Sequence, residues 1–167
     1  MGRQMEILWA PWRMEYILSP KEDSCIFCTP LQQRDDRRNL ILHRGKESFI
    51  ILNRYPYTNG HLMVAPYRHI GLLEELSAEE VKDLMINIQL SIRVLKGAMA
   101  PHGFNIGANV GKVAGAGVEG HVHFHIVPRW EGDTNYMPVL ASTRVIPEHL
   151  QQTYDRLRDF LERLLAR

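Results

Sequence analysis

His121-Val122-His123-Phe124-His125-Ile126-Val127-Pro128 decides how this chain is read. Strict alternation of imidazole and apolar side chains is the period of an extended strand, whose successive side chains point to opposite faces. The pattern places His121, His123 and His125 on one face. Val122, Phe124 and Ile126 lie on the other, where they anchor the strand in a core. Three imidazoles with an ordinary pKa of about 6.5 then stand in a row. Two chemistries use such a row. Alternate histidines can hold one cation through two or three rings, although no acidic residue lies within the run to complete the site. Alternatively, a neutral imidazole nitrogen attacks phosphorus while an acceptor such as a backbone carbonyl holds the other ring nitrogen in one tautomer. His123, in the middle, is best placed as that nucleophile. Its neighbours would hold phosphate oxygens and protonate or stabilise the departing group.

Upstream of this strand, residues 111–120 are rich in glycine, with Gly111, Gly115, Gly117 and Gly120. Such a loop lets backbone N–H groups approach phosphate oxygens, but its spacing matches neither the dinucleotide fingerprint nor the triphosphate P-loop. Before it, residues 104–109 read as a strand. Further back, residues 49–53 and 61–66 form a strand pair joined by the turn-prone stretch 53–60. Ser77-Ala78-Glu79-Glu80 is a capping box that starts a helix. Val81, Leu84, Met85, Ile88, Ile92 and Leu95 keep helical spacing until Pro101 and Gly103 end it. Near the far end Leu150, Tyr154, Leu157, Leu161, Leu164 and Leu165 form an apolar stripe, with Pro147 suited to a first helical turn. Residues 32–38 are polar and charged and read as a solvated loop. Trp9-Ala10-Pro11-Trp12-Arg13, followed by Tyr16, reads as an irregular arm.

Composition bounds the function. At 167 residues the chain is long enough for one domain with its own core. Hydrophobic residues at 45% and charged residues at 23% fit an ordinary soluble protein. No run approaches the length of a membrane span, and the first twelve residues do not read as a signal peptide, so a cytoplasmic location is expected. A net charge of +1 argues against a general nucleic-acid binder, which needs a surplus of cations on one surface. Cys25 and Cys28, the only cysteines, suggest a metal or redox pair in a reducing compartment.

The alternating histidines after a glycine-bearing loop resemble the signature of the histidine triad family. The likeness extends through residues 49–53, Gly60-His61, Pro66, His69 and Asn109-Val110-Gly111, covering roughly residues 25–130. It implies an α+β fold: an antiparallel sheet of about five strands, two main helices and a C-terminal extension, as a homodimer. The expected organisation is an N-terminal arm (1–24), a catalytic domain (25–130) and an extension whose helix packs on it (131–167). In the resemblance His123 carries a covalent nucleotidyl intermediate, and His125 contacts the bridging or α-phosphate oxygens. His61 shapes the phosphate site, Asn53 meets the ribose hydroxyls and Asn109 lies near the phosphates, with Gly115 and Gly117 in the phosphate loop. Cys25, Cys28, His69 and His121 correspond to a structural zinc site, and the chemistry itself would need no cofactor.

The segments 9–16, 129–136 and 143–147 look like the microbial branch associated with diadenosine tetraphosphate phosphorylases, implying an adenine dinucleotide or an AMP conjugate as substrate. One departure counts. Hydrolytic branches carry a Gly-Gln or Gly-Gln-Ser pattern before the triad, whereas this chain reads Gly115-Ala116-Gly117-Val118-Glu119-Gly120, one residue longer. Backbone amides or Asn109 would have to replace the missing side chain. A nucleotide-binding regulatory protein with weak hydrolase activity is the alternative of a different class.

Overall fold

The computed structural model describes residues 25–133 and 148–166. The 1–24 arm and residues 134–147, Pro147 included, lie outside them. Five strands form one antiparallel sheet in the order β1-β2-β3-β5-β4. They are β1 (Ile41–Arg44), β2 (Ser48–Leu52), β3 (Leu62–Pro66), β4 (Gly103–Gly107) and β5 (Phe124–Arg129). Helices α1 (Cys28–Gln32) and α2 (Asp36–Asn39) are short. The long ones are α3 (Ala78–Met99) and α4 (Leu150–Leu165). None of the helices among the described residues is long and apolar enough to cross a membrane.

β2 and β3 are covered on both faces, which is why their sequences read as apolar runs rather than alternations. Ser48 bonds to Asp83 and Asn87 of α3, so Ile50 and Leu52 share that helix-covered face. Phe49 and Ile51 face the other way, where Phe27 meets Phe49 edge-on with ring centroids 6.5 Å apart. Register carries this face across the sheet: Ile51 pairs with Met63, and Met63 with His125. His125 therefore stands on the side away from α3.

The capping box of α3 is present as expected, with Ser77 and Glu80 bonding reciprocally. Its buried face differs from the expected stripe. Val81 and Met85 are about half exposed, at 47% and 51%, whereas Asp83, Asn87 and Ser91 are buried. The cause is local: the Asp83 carboxylate accepts the Ser48 hydroxyl at 2.7 Å and the Glu47 N–H at 3.0 Å, so polar groups must face the β1–β2 turn. α4 docks across α3 and β1, burying Tyr154, Leu157 and Leu161, while Leu165, expected on the same stripe, is exposed. A Cβ at Gly97 of α3 would lie 1.8 Å from the Phe160 ring; glycine there is what lets the two helices close.

Three further features of the fold differ from expectation. Residues 32–38 are solvated but not all loop: α2 starts within them, because the Asp35 carboxylate caps the Arg38 N–H at 3.0 Å. Arg44 and Arg37 then pair with Asp36 and Asp155, each at 2.8 Å. The strand β1 was not anticipated, since Ile41-Leu42-His43-Arg44 offers only two apolar residues. Finally, the histidine strand begins at Phe124, so His121 and His123 precede the ladder rather than belonging to it. Their rings still cluster on the His125 side, with His123 and His125 centroids 4.8 Å apart.

Candidate active site

His123 is 4% exposed, and its Nδ1 lies 2.8 Å from the His121 carbonyl oxygen. A carbonyl only accepts, so Nδ1 carries the proton and Nε2 keeps its lone pair. Burial pushes the ring's pKa down, and the carbonyl contact opposes this only in part. His123 is thus a neutral imidazole with a bare Nε2, the state a nitrogen nucleophile needs.

The proton on His125 is set by a chain of contacts that begins in the turn after β2. The Tyr57 N–H and the Asn53 side-chain amide both reach His61 Nδ1 at 3.2 Å. The orientation of that amide is fixed because its oxygen accepts the Tyr55 N–H at 2.9 Å. With Nδ1 accepting, His61 carries its proton on Nε2, which donates to His125 Nδ1 at 3.0 Å. His125 in turn holds its proton on Nε2. Burial, then the charge of His125 and His123, pushes His61 down to about 3; burial, then His123, pushes His125 to about 4. The Tyr57 ring covers the pair, 4.8 Å from His61 and 5.9 Å from His125. The result is one bare nitrogen and one N–H donor on adjacent rings, both neutral at physiological pH.

Asn53 thus bonds to His61 through its amide nitrogen and to Tyr55 through its oxygen. Asn109 bonds to the glycine loop, its amide donating to the Gly115 carbonyl at 3.4 Å. Gly111 and Gly115 have φ of 82° and 88°, conformations that disfavour any residue with a Cβ. Gly117 has nothing within 4 Å of a built Cβ, leaving the loop backbone open to close approach. A cleft of about 520 Å³ opens beside the same turn, lined by Arg54, Tyr55, Arg38 and Gln151 among others, but by none of the histidines.

Cys25, Cys28, His69 and His121 bring one ligand atom each within 4.8 Å of one another. His121 Nε2–H donates to the Pro66 carbonyl at 2.9 Å, which leaves Nδ1 unprotonated and facing the sulfurs. That Nδ1 lies 3.4 Å from Cys25 Sγ and 3.5 Å from Cys28 Sγ, and His69 Nδ1 lies 3.4 Å from Cys28 Sγ. A tetrahedral zinc with its usual bond lengths has S···N edges of about 3.5 Å, so the four residues fit and can hold a metal. Burial, then the Cys25 thiol beside it, pushes the Cys28 thiol up to about 11. Both a redox nucleophile and a metal ligand act as the thiolate, so it is the tetrahedral spacing of the four ligand atoms that favours the ligand reading of the pair.

The fold therefore gathers the expected residues into two groups: His61, His123, His125 and Asn53 in one, Cys25, Cys28, His69 and His121 in the other. His121 is fully buried and turns its Nδ1 to the sulfurs. Sequence reasoning missed Tyr57, whose N–H sets a tautomer, and Phe27. The Phe27 ring lies 5.1 Å from His121 and 4.7 Å from His123. A fully apolar residue between two candidate ligands was its only signal.

Comparison with known proteins follows the same lines. AP-4-A phosphorylase of Mycobacterium tuberculosis is 42% identical over 158 residues, covering 90% of this chain and 81% of that protein. An adenosine 5'-monophosphoramidase of Schizosaccharomyces pombe is 34% identical over 106 residues, 64% of this chain and 74% of its own length. Among solved structures, a Zn-bound histidine triad family protein from Mycobacterium smegmatis superposes with a TM-score of 0.69 at 28% identity, over 86% of this chain and 97% of that one. The family model described as the HIT domain matches residues 35–132, and the chain belongs to that histidine triad family.

Proposed function

We propose that this chain is a nucleotidyl transferase that cleaves a phosphoanhydride of dinucleoside polyphosphates through an adduct on His123. The observation that carries the reading is the His123 Nδ1–H held by the His121 carbonyl, which leaves Nε2 free to attack. In this mechanism the Nε2 lone pair bonds to the α-phosphorus as the bond to the bridging oxygen breaks. The His125 Nε2–H donates to oxygens gathering negative charge, and loop N–H groups around Gly115 and Gly117 hold the non-bridging oxygens. A second nucleophile then displaces His123 from the adduct. The 42% identity to an AP-4-A phosphorylase supports inorganic phosphate as that acceptor and diadenosine tetraphosphate as substrate. His61 and Asn53 act by fixing the His125 proton, and Asn109 by holding the loop.

Cys25, Cys28, His69 and His121 hold a structural zinc in this reading, supported by the tetrahedral spacing and by the zinc-bound relative. The chemistry requires no cofactor, and the zinc braces the segment that leads to His123. A cytoplasmic homodimer is part of the same reading. The support for the dimer is the outer edge of β4, which pairs with no strand among the described residues and leaves Ile106 45% exposed.

The decisive experiment pairs wild type with His123→Ala, using diadenosine tetraphosphate labelled at the α-phosphate, with and without inorganic phosphate. The variant is expected to lose at least about a thousandfold in turnover and to take up no acid-labile label. Products identified by mass separate phosphate from water as acceptor. Equal turnover by the variant ends the mechanism. Tight nucleotide binding by a wild type that does not turn over would instead favour a regulatory protein, the reading suggested by the changed stretch 115–120 before the triad.

A further inference from the structure

The turn between β2 and β3 carries the donors that set the His61 proton, and α4 grips that turn from outside the histidine cluster. Asn59 Nδ2 donates to Glu148 Oε2 at 3.0 Å. The Thr153 hydroxyl lies 2.9 Å from Asn59 Oδ1 and 2.7 Å from Glu148 Oε2. Arg156 pairs with the other oxygen of the same carboxylate. Thr153 is fully buried. Burial opposes ionisation of Glu148, but the hydrogen bonds from Thr153 and Asn59 and the Arg156 charge outweigh it and hold the carboxyl below its usual range. Next to Asn59, the Thr58 hydroxyl donates to the Pro128 carbonyl at 3.0 Å, and the His61 N–H returns to the Thr58 carbonyl at 3.2 Å.

Docking of α4 does not account for this knot. The helix is already held by Leu157 and Leu161 in the core, by the Tyr154 hydroxyl on the Ile41 carbonyl at 2.9 Å, and by Arg158 on the Leu42 carbonyl at 2.8 Å. The polar knot adds a fixed position for residues 57–61. Hydrogen bonds weaken steeply with distance and angle, and the two contacts that make His61 Nδ1 an acceptor are already long at 3.2 Å. A small drift of the turn would release them, and the His61 proton would then be shared between both ring nitrogens.

We propose that Glu148 and Thr153, supplied by a segment beyond the family-matched residues 35–132, are positioning residues for the His61–His125 pair and act through Asn59. The consequence rests on the catalytic reading above, in which the His125 Nε2–H serves the substrate. The placement of the His61 proton does not.

Two readouts test it on the full chain. Nitrogen-15 spectra of labelled imidazoles report whether each ring holds one tautomer. His61 of the wild type is expected to show one protonated and one bare nitrogen. Thr153→Val, which keeps volume and removes the hydroxyl, is expected to average the two. Its kcat is expected to fall about tenfold with KM changed by less than about twofold, the split of an interaction made in the transition state. Thr153→Ser restores both. Glu148→Ala, at a partly exposed position, gives the same pair of changes and stands in if Thr153→Val does not fold. Ser48→Ala, which removes a buried hydroxyl bonded to Asp83 and touches neither α4 nor the turn, lowers stability without moving either readout. A single His61 tautomer in both Thr153→Val and Glu148→Ala, with kcat within about twofold of wild type, overturns the proposal. Because the spectra need no turnover, they decide the positioning role even if His123→Ala refutes the catalytic one.

Discussion

Acidification from about pH 7 to about pH 5 is predicted to cost the fold about 3 to 4 kcal/mol through His61 and His125 alone. In the unfolded chain each imidazole takes a proton at its ordinary value of 6.5, whereas in the fold His61 is held to about 3 and His125 to about 4. The unfolded state therefore binds more protons throughout that interval. Stability is full above 6.5 and falls as pH drops toward the folded values. Each ring loses about 1.4 kcal/mol per pH unit, so about 2 kcal/mol by about pH 5. The size at that pH is set by the unfolded value, since both folded values lie below it. Screening of the partly exposed His125 trims the pair toward the lower end. Against a typical stability of about 5 to 15 kcal/mol, the loss is large enough to measure. Urea unfolding at both pH values is compared between wild type and the double variant His61→Gln/His125→Gln, with zinc supplied throughout. Titration of the cysteine site and of His121 and His123 is common to both proteins and cancels. Wild type is expected to lose about 3 to 4 kcal/mol more than the variant; equal losses would refute the claim that the fold keeps these rings neutral.

Other outcomes follow from the same structure. Cys25→Ser is expected to reduce bound zinc from about one per chain to near none and to lower Tm by more than about 5 °C, while retaining part of the turnover. Metal analysis and thermal melting check this, and full occupancy in the variant rules out the ligand set. Ser48→Ala removes the hydroxyl that donates to the buried Asp83 carboxylate and is expected to cost about 1 to 3 kcal/mol in urea unfolding, with zinc content unchanged. A cost below about 0.5 kcal/mol would mean that the Glu47 N–H and Asn87 satisfy Asp83 unaided.

Much of the fold was legible because local signals and tertiary packing agree. The Ser77 box, the apolar runs of β2 and β3 and the stop at Pro101 and Gly103 are each dictated within a few residues. The errors fall where partners distant in sequence decide. Val81 and Met85 have the right period yet face outward, because Ser48, more than thirty positions earlier, demands Asp83 and Asn87. β1 is held by pairing with β2, its Ile41 opposite Ile51, and four residues with two charged or titratable side chains carry no strand signal of their own. At the site, alternation brings the three histidines onto one segment but neither separates His121, turned to the sulfurs, from His123 and His125, nor assigns their protons. Which nitrogen of His123 is bare depends on the His121 carbonyl, and which nitrogen of His125 is bare depends on a turn sixty-odd residues away.

The two histidine groups are mechanically one unit, and Phe27 is the reason. α1 is five residues long, too short to persist by helix formation alone, so something else must fix the segment that carries Cys25 and Cys28. Two restraints converge on it: the sulfurs approach His121 and His69, and the fully buried Phe27 between them packs on His121, His123 and Phe49. His121 answers both, since its Nδ1 faces the sulfurs while its carbonyl holds the His123 proton. Displacing the ligand side of His121 must therefore shift the acceptor that keeps His123 in one tautomer. A metal at this corner would act on catalysis without touching substrate, by fixing the backbone of the residue next but one to the nucleophile. The alternation of histidines with apolar residues thus does more than line up three rings: in the proposed mechanism it puts a ligand, a nucleophile and a donor on one segment, each with its proton assigned by a different neighbour.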